Sequence, residues 1–138
     1  MGDEFSPKVY QNQITENNCG VKIGLSSEAD VSRNYICENS SGIEVYSSFP
    51  VIYLNKIDKN KENGVSIKIH KGMICKALVK KNVSITGNKL NGILIEGKKN
   101  RSQITENYLI GFNGESGIKI NKGAFPLVLK NKIYKNLK

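Results

Sequence analysis

Tryptophan is absent, histidine occurs once and arginine only twice in 138 residues, and each scarcity removes a class of function. His70 is the single imidazole, so a Ser-His-Asp or Cys-His arrangement would have to use it. No nucleophile or orienting carboxylate is set beside it in the sequence, which marks it as a solvated residue. Cys19, Cys37 and Cys75 are odd in number, unevenly placed and never spaced as Cys-x-x-Cys. That pattern suits neither a disulfide framework nor a zinc site, and three reduced thiols are expected, with no metal and no cofactor. No apolar run approaches the roughly 20 residues of a membrane-spanning helix. The first residues, Met1 to Ser6, are polar rather than signal-like, so the expected setting is intracellular and cytoplasmic, without a membrane partner. Few arginines and an aromatic content of 7% also argue against nucleic acid, whose recognition leans on those side chains.

What the chain has instead is one phrase written about six times: an apolar residue, two variable ones, Asn, one variable, then Ile or Leu. It reads Val9-x-x-Asn12-x-Ile14, Val31-x-x-Asn34-x-Ile36, Ile52-x-x-Asn55-x-Ile57, Ile104-x-x-Asn107-x-Leu109 and Val128-x-x-Asn131-x-Ile133, with a blurred copy at Val79, Asn82 and Ile85. In the first three units a second Asn follows, at Asn17, Asn39 and Asn60. A Gly then opens an alternating apolar run, at Gly20, Gly42, Gly64, Gly92 and Gly117, spaced by 22, 22, 28 and 25 residues. Units this small cannot bury a core alone and must stack as a solenoid. Short alternating runs rich in Ile and Val suit half-buried strands. About three strands per unit, separated by corners, predict an all-β, right-handed parallel β-helix of about six coils. The Asn side chains are expected at corners, where a short amide tolerates left-handed backbone and bonds neighbouring peptide groups. Asn12, Asn34, Asn55, Asn107 and Asn131 would then stack as a ladder. The repeat-opening glycines mark a corner with no room for a side chain or one needing positive φ.

In these phrases the chain resembles the parallel β-helix repeats of the pectate-lyase-like superfamily, and most of all those of F-box-only proteins, whose repeats read Asn-x-Ile-x-x-Asn-x-x-Gly-Ile-x-Ile. The resemblance runs over 7–138, often with Pro or Ala opening a unit, and leaves a polar tail over 1–6. It implies the fold and several functions: polysaccharide lyases and hydrolases, epimerases, ubiquitin-ligase receptors and scaffolds share it. A leucine-rich repeat also carries Leu-x-x-Asn-x-Leu at a similar period, but leaves the Gly-led strand and the second Asn without a role.

The net charge of +9 is carried almost wholly by lysine, which solubilises exposed strands and protects sheet edges. One cluster stands above that background. Between the third and fourth Gly-led strands the repeat lengthens, and Lys68, His70, Lys71, Lys76, Lys80 and Lys81 surround Gly72-Met-Ile-Cys. Insertions of this kind become loops on a solenoid's binding face, so these six residues form the candidate partner-binding set. The acids do not match a catalytic pattern. Glu16, Glu38 and Glu106 each precede a repeat Asn and read as copies of a turn residue. The outward positions Lys22, Glu44, Ser66, Leu94 and Lys119 include one carboxylate. Tyr10, Tyr35, Tyr53 and Tyr108 fall at outward positions as two matched pairs, Tyr10 with Tyr53 and Tyr35 with Tyr108.

The last unit runs through Asn131, Ile133 and Asn136 to Lys138, with no amphipathic capping helix in the sequence. An end-stacking contact, with another chain or another copy, is therefore expected around Leu127, Leu129, Ile133 and Leu137. Taken together the residues describe a non-catalytic scaffold or protein-binding subunit of a larger assembly, cytoskeletal or ciliary ones included, whose partners are protein chains with acidic surfaces. Two further readings stay open: a carbohydrate-active enzyme or sugar-binding module of the same fold, and a substrate-binding fragment of an F-box-type receptor.

Overall fold

The computed structural model describes residues 6–138, so all but Ser6 of the expected N-terminal tail lies outside the described residues. The chain winds through six coils. They comprise β1 (Lys8–Tyr10), β2 (Gln13–Thr15) and β3 (Cys19–Ile23); β4 (Asp30–Ser32), β5 (Tyr35–Cys37) and β6 (Ser41–Tyr46); β7 (Val51–Tyr53), β8 (Lys56–Asp58) and β9 (Val65–Lys68); β10 (Leu78–Lys80), β11 (Ser84–Thr86) and β12 (Ile93–Glu96); β13 (Gln103–Thr105), β14 (Ile110–Gly111) and β15 (Ile118–Asn121); and finally β16 (Leu127–Leu129) and β17 (Ile133–Tyr134). Each coil gives one strand to each of three parallel sheets, the sixth coil to two of them. The fold is a right-handed parallel β-solenoid, all-β, with three strands per coil and no helix among the described residues.

The register follows the repeat, except that Ile110 rather than the expected Leu109 takes the inward place in the fifth coil, one residue later. On the first sheet Val9, Val31, Ile52, Val79 and Ile104 stack inward; on the second Ile14, Ile36, Ile57, Ile85 and Ile110 do so. The Gly-led strands form the third sheet and contribute two inward columns, one through Ile43, Val65 and Ile93, the other through Val45, Ile67 and Ile95. These side chains are fully buried through the middle coils. The core is thus a narrow column of Ile and Val, which accounts for a modest apolar content.

Two asparagine ladders close the first two corners. The first contains the five expected residues and Asn82, whose phrase is blurred in sequence. The second runs Asn17, Asn39, Asn60, Asn88, Asn113 and Asn136, through all six coils rather than three. On every rung the backbone N–H and the side-chain amide both donate to Oδ1 of the Asn one coil on, as Asn34 does to Asn55 at 2.9 and 3.1 Å. The same side chain also donates back to a carbonyl of the preceding coil, here Val9 at 2.9 Å. The rung satisfies peptide groups that the bend takes out of the sheets.

The left-handed residue at these corners is not the asparagine. It is the residue before it: Gln11, Arg33, Leu54, Lys81, Glu106 and Lys130 at the first corner, and Glu16, Glu38, Lys59, Gly87, Phe112 and Lys135 at the second. The Asn must keep its own N–H along the rod axis, so the chain reverses one step earlier. Glu16, Glu38 and Glu106 are indeed turn residues. The repeat-opening glycines answer the other way: none has positive φ, and a Cβ on Gly20 would lie 2.6 Å from the Gly42 carbonyl oxygen. They are required by close approach between coils.

Asn39, Asn82 and Asn100, the three Asn-x-Ser sites, are all completely buried and engaged, so none presents its amide for glycosylation in the folded state.

Candidate partner-binding site

The third corner, from each Gly-led strand to the first strand of the next coil, carries no full ladder, and here the chain varies in length. It spans 24–29, 47–50, 69–77, 97–102 and 122–126 in successive coils. The expected insertion is the third of these, between β9 and β10. Its shape is fixed by Ser47, a buried residue with φ of 39° one coil below. The His70 N–H donates to Ser47 Oγ at 2.8 Å, the Ser47 hydroxyl donates to the Met73 carbonyl at 2.8 Å, and the Met73 N–H donates to the His70 carbonyl at 3.0 Å. Lys71 and Gly72, both at positive φ, turn the loop between those anchors.

The chain re-enters the stack at Cys75, which bridges to Asn100 of the next corner. Asn100 is buried and donates to the carbonyls of Ile67 and Glu96, each at 3.0 Å, while its Oδ1 accepts from the Ser102 hydroxyl at 2.7 Å. Ser102 Oγ in turn accepts the Ala77 N–H at 3.0 Å. Two exposed loops, one from each coil, are therefore held side by side on a buried polar seam.

The structure divides the six sequence-expected residues. His70, Lys71 and Lys76 lie on this corner, and Lys68 closes β9 beside it. Lys80 points outward from the first sheet, its ammonium 5.9 Å from the centre of the Tyr53 ring, and Lys81 is the left-handed residue of the first corner. In place of those two, the corner gains Lys98, Lys99 and Arg101 from the following coil. Their signal was in the sequence, as Gly97-Lys-Lys-Asn-Arg, but appears as a separate run until stacking brings it against the insertion on the side opposite Ser47. Residues 68–101 hold nine of the 21 cationic side chains and one of the 12 acids, so this stretch carries +8 of the net +9. That acid, Glu96, pairs with Lys122 at 3.6 Å, the one ion pair among the described residues.

Arg101 is the centre of the site. Its Nη1 donates to the carbonyls of Lys98 at 2.6 Å and Asn100 at 3.3 Å, and its guanidinium lies 5.4 Å from the centre of the Phe125 ring. On one side it borders an open hollow of about 570 Å³ with Gly72, Met73, Ile74 and Lys99. On the other it borders a hollow of about 280 Å³ with Phe49, Val51, Lys76 and Leu78. Cations flanking partly exposed Met73 and Ile74 and the largely exposed Phe125 make a surface suited to a partner that offers carboxylates and an apolar side chain together.

Three of the four outward tyrosines are capped by cations, and Tyr108 stands exposed. Tyr10 and Tyr53 share one column and are capped by Arg33 and Lys80; Tyr35 is capped by Lys56, its direct neighbour across the second sheet. Stacked cations thus interrupt the aromatic strip. Glu16 and Glu38 line an open groove of about 540 Å³ at the second corner with Lys59, Lys61 and Lys89. Among the described residues no three of His, Cys, Asp and Glu come together as metal ligands. Burial raises the Cys75 thiol pKa, and burial followed by the nearby Glu44 carboxylate pushes that of Cys19 up to about 11, so both stay protonated at neutral pH.

Of the end-stacking set, Leu127 and Leu129 face outward on the first sheet, flanking Val128, while Ile133 ends the inward column of the second sheet. Leu137 follows the last rung, Asn136, and is 78% exposed.

A family model described as "Right handed beta helix region" matches residues 1–109. No curated protein and no solved structure matches the chain.

Proposed function

The chain belongs to the right-handed β-helix family, and on that premise we propose that it is a non-catalytic scaffold, a rigid subunit that holds an acidic protein partner against its third corner inside a larger assembly. The observation that carries this reading is the gathering of Lys71, Lys76, Lys98, Lys99 and Arg101 on one corner, beside a hollow walled by Met73 and Ile74. A solenoid supplies such a surface without moving parts, since each coil is fixed by its neighbours. Opposite charge on a partner steers the encounter, and the apolar hollow holds the complex once formed.

The test is charge reversal. Lys71, Lys76 and Lys99 all changed to Glu should weaken association with the partner steeply at low salt and leave the melting temperature nearly unchanged. Association that ignores both the reversals and added salt would refute the reading. A carbohydrate-active role would rest on the second-corner groove, where Glu16 and Glu38 stand on left-handed turn positions beside three lysines. Under the scaffold reading, acidic polysaccharides are not cleaved, with or without calcium.

A further inference from the structure

One outward column on the third corner is built unlike any other in the rod. Backbone pairing sets Glu28, Phe49, Lys76, Arg101 and Phe125 one above another on successive coils, through the bonds from the Phe49, Lys76, Arg101 and Phe125 amides to the carbonyls of Ser27, Ser48, Cys75 and Asn100. The Glu28 carboxylate lies beyond the Phe49 end, and the four-residue stretch from Phe49 reads aromatic, cation, cation, aromatic along the axis. At about 4.8 Å per coil it is roughly 14 Å long, the reach of four or five extended residues at about 3.3 Å each.

Resting on the function proposed above, we infer that this column binds a short extended segment of the partner in which two carboxylates lie between apolar side chains. Arg101 is already oriented, because Nη1 is held by the Lys98 and Asn100 carbonyls, and the rest of its guanidinium edge is left for a carboxylate that can be gripped by two parallel bonds. Lys76 supplies the second charge as a mobile point cation. No carboxylate pairs with either residue among the described residues. The hollows on either side of Arg101 take the apolar side chains, one against Met73 and Ile74 and the other against Val51 and Leu78.

A peptide fits this arrangement better than an anionic bilayer does. A bilayer is entered by several apolar side chains that project beyond their cations, whereas here Phe125 alone projects, at 74% exposed, and Met73 and Ile74 form the wall of a concavity.

The experiment uses the whole chain and a labelled short peptide carrying an Asp and a Glu two residues apart, so that both face the same side of an extended chain, between two leucines, read by fluorescence anisotropy at low and at physiological salt. Controls replace the acids by Asn and Gln, or the leucines by Ser. Binding should require both features. It should fall at least ten-fold with Arg101→Glu and several-fold with Arg101→Lys, and stay unchanged with Lys61→Glu at the second corner. Thermal melts of the variants show that the fold is intact. Phosphatidylserine vesicles and a single-stranded oligonucleotide are run beside the peptide. Capture of either without the peptide overturns the inference in favour of that class. A peptide that fails while the partner's association stays sensitive to the third-corner reversals also overturns it, since the recognised element is then a folded surface and the scaffold reading survives. If the reversals have no effect on the partner, both fall.

Discussion

Asn55 gives both its backbone N–H and its side-chain amide to Oδ1 of Asn82, 27 residues on, at 3.0 and 3.1 Å. Its own Oδ1 accepts the same two bonds from Asn34, and its side-chain amide also reaches the Val31 carbonyl at 2.9 Å. The residue is wholly buried. Asn55→Ala therefore strands the Asn34 N–H and the Val31 carbonyl together, each worth about 1–3 kcal/mol when left unpaired. The loss should stand near the upper end of the single-residue range, read from denaturant unfolding. Lys56→Ala, which gives up an exposed cation–ring contact with Tyr35, should lose under about 1 kcal/mol. Equal losses would show that the ladder contributes nothing beyond its packing.

Two glycines should respond in opposite directions to alanine. A Cβ at Gly92 would lie 2.7 Å from the Gly117 carbonyl oxygen and 2.8 Å from Asn113 Nδ2, so the following coil and its ladder rung would both have to move. Gly24 has nothing within 4 Å and no positive φ. Gly92→Ala should destabilise by more than about 2 kcal/mol, while Gly24→Ala should be neutral or stabilise by about 0.4–1 kcal/mol through a less disordered unfolded chain. Thermal melts of the pair decide it.

The thiols give a pH-dependent readout. Alkylation needs thiolate, and a Cys19 pKa of about 11 against an ordinary 9 leaves it about 100-fold scarcer at pH 8. Iodoacetamide should thus modify Cys19 far more slowly in the folded chain than in urea. The raised pKa also means that the folded state holds this proton more tightly than the unfolded one. Its contribution is complete below pH 9 and is lost as pH climbs through 11. Rapid labelling of the native protein at pH 8 would contradict the half-buried, Glu44-facing setting of this thiol.

Ser47 should matter to the third corner more than to the fold. Ser47→Ala removes the hydroxyl that joins the His70 N–H to the Met73 carbonyl, at a loss of about 1–2 kcal/mol, and frees the insertion from the coil beneath it. Amide exchange at His70 should accelerate while that of Ile67, in the strand before it, stays slow. Uniform acceleration through β9 would mean the loop and the strand open as one unit.

The architecture was legible because its determinants are local and repeated: one alternating run, one glycine and one Asn phrase give strand, corner and period. Asn82 and Asn88 were harder, since Val83 and the longer coil displace the phrase; only the stacking of Asn82 between Asn55 and Asn107, and of Asn88 between Asn60 and Asn113, restores the pattern. The left-handed step was displaced by one residue in the reading for a related reason. A turn rule assigns positive φ to the residue best able to tolerate it, whereas here the ladder claims asparagine and leaves the strained backbone to Gln, Arg, Leu, Lys, Glu and Phe. The candidate site was half legible. Lys71 and Lys76 are near neighbours in sequence, but Arg101 meets them only because one coil takes 25 residues to return, and nothing short of the three-dimensional stack reveals that Lys80 faces another way.

The two ladders leave one edge of this rod editable. At the first two corners each coil must deliver an asparagine to the same height as its predecessor, so extra chain there has to be absorbed as a bulge, as at Val83, whose amide and that of Ser84 share the Asn55 carbonyl. At the third corner four residues serve one coil and nine the next, and the strands on either side stay in phase. New sequence can therefore enter at that edge without disturbing the stack, and a lineage of such rods would diversify what it recognises along this margin while inheriting the rest unchanged.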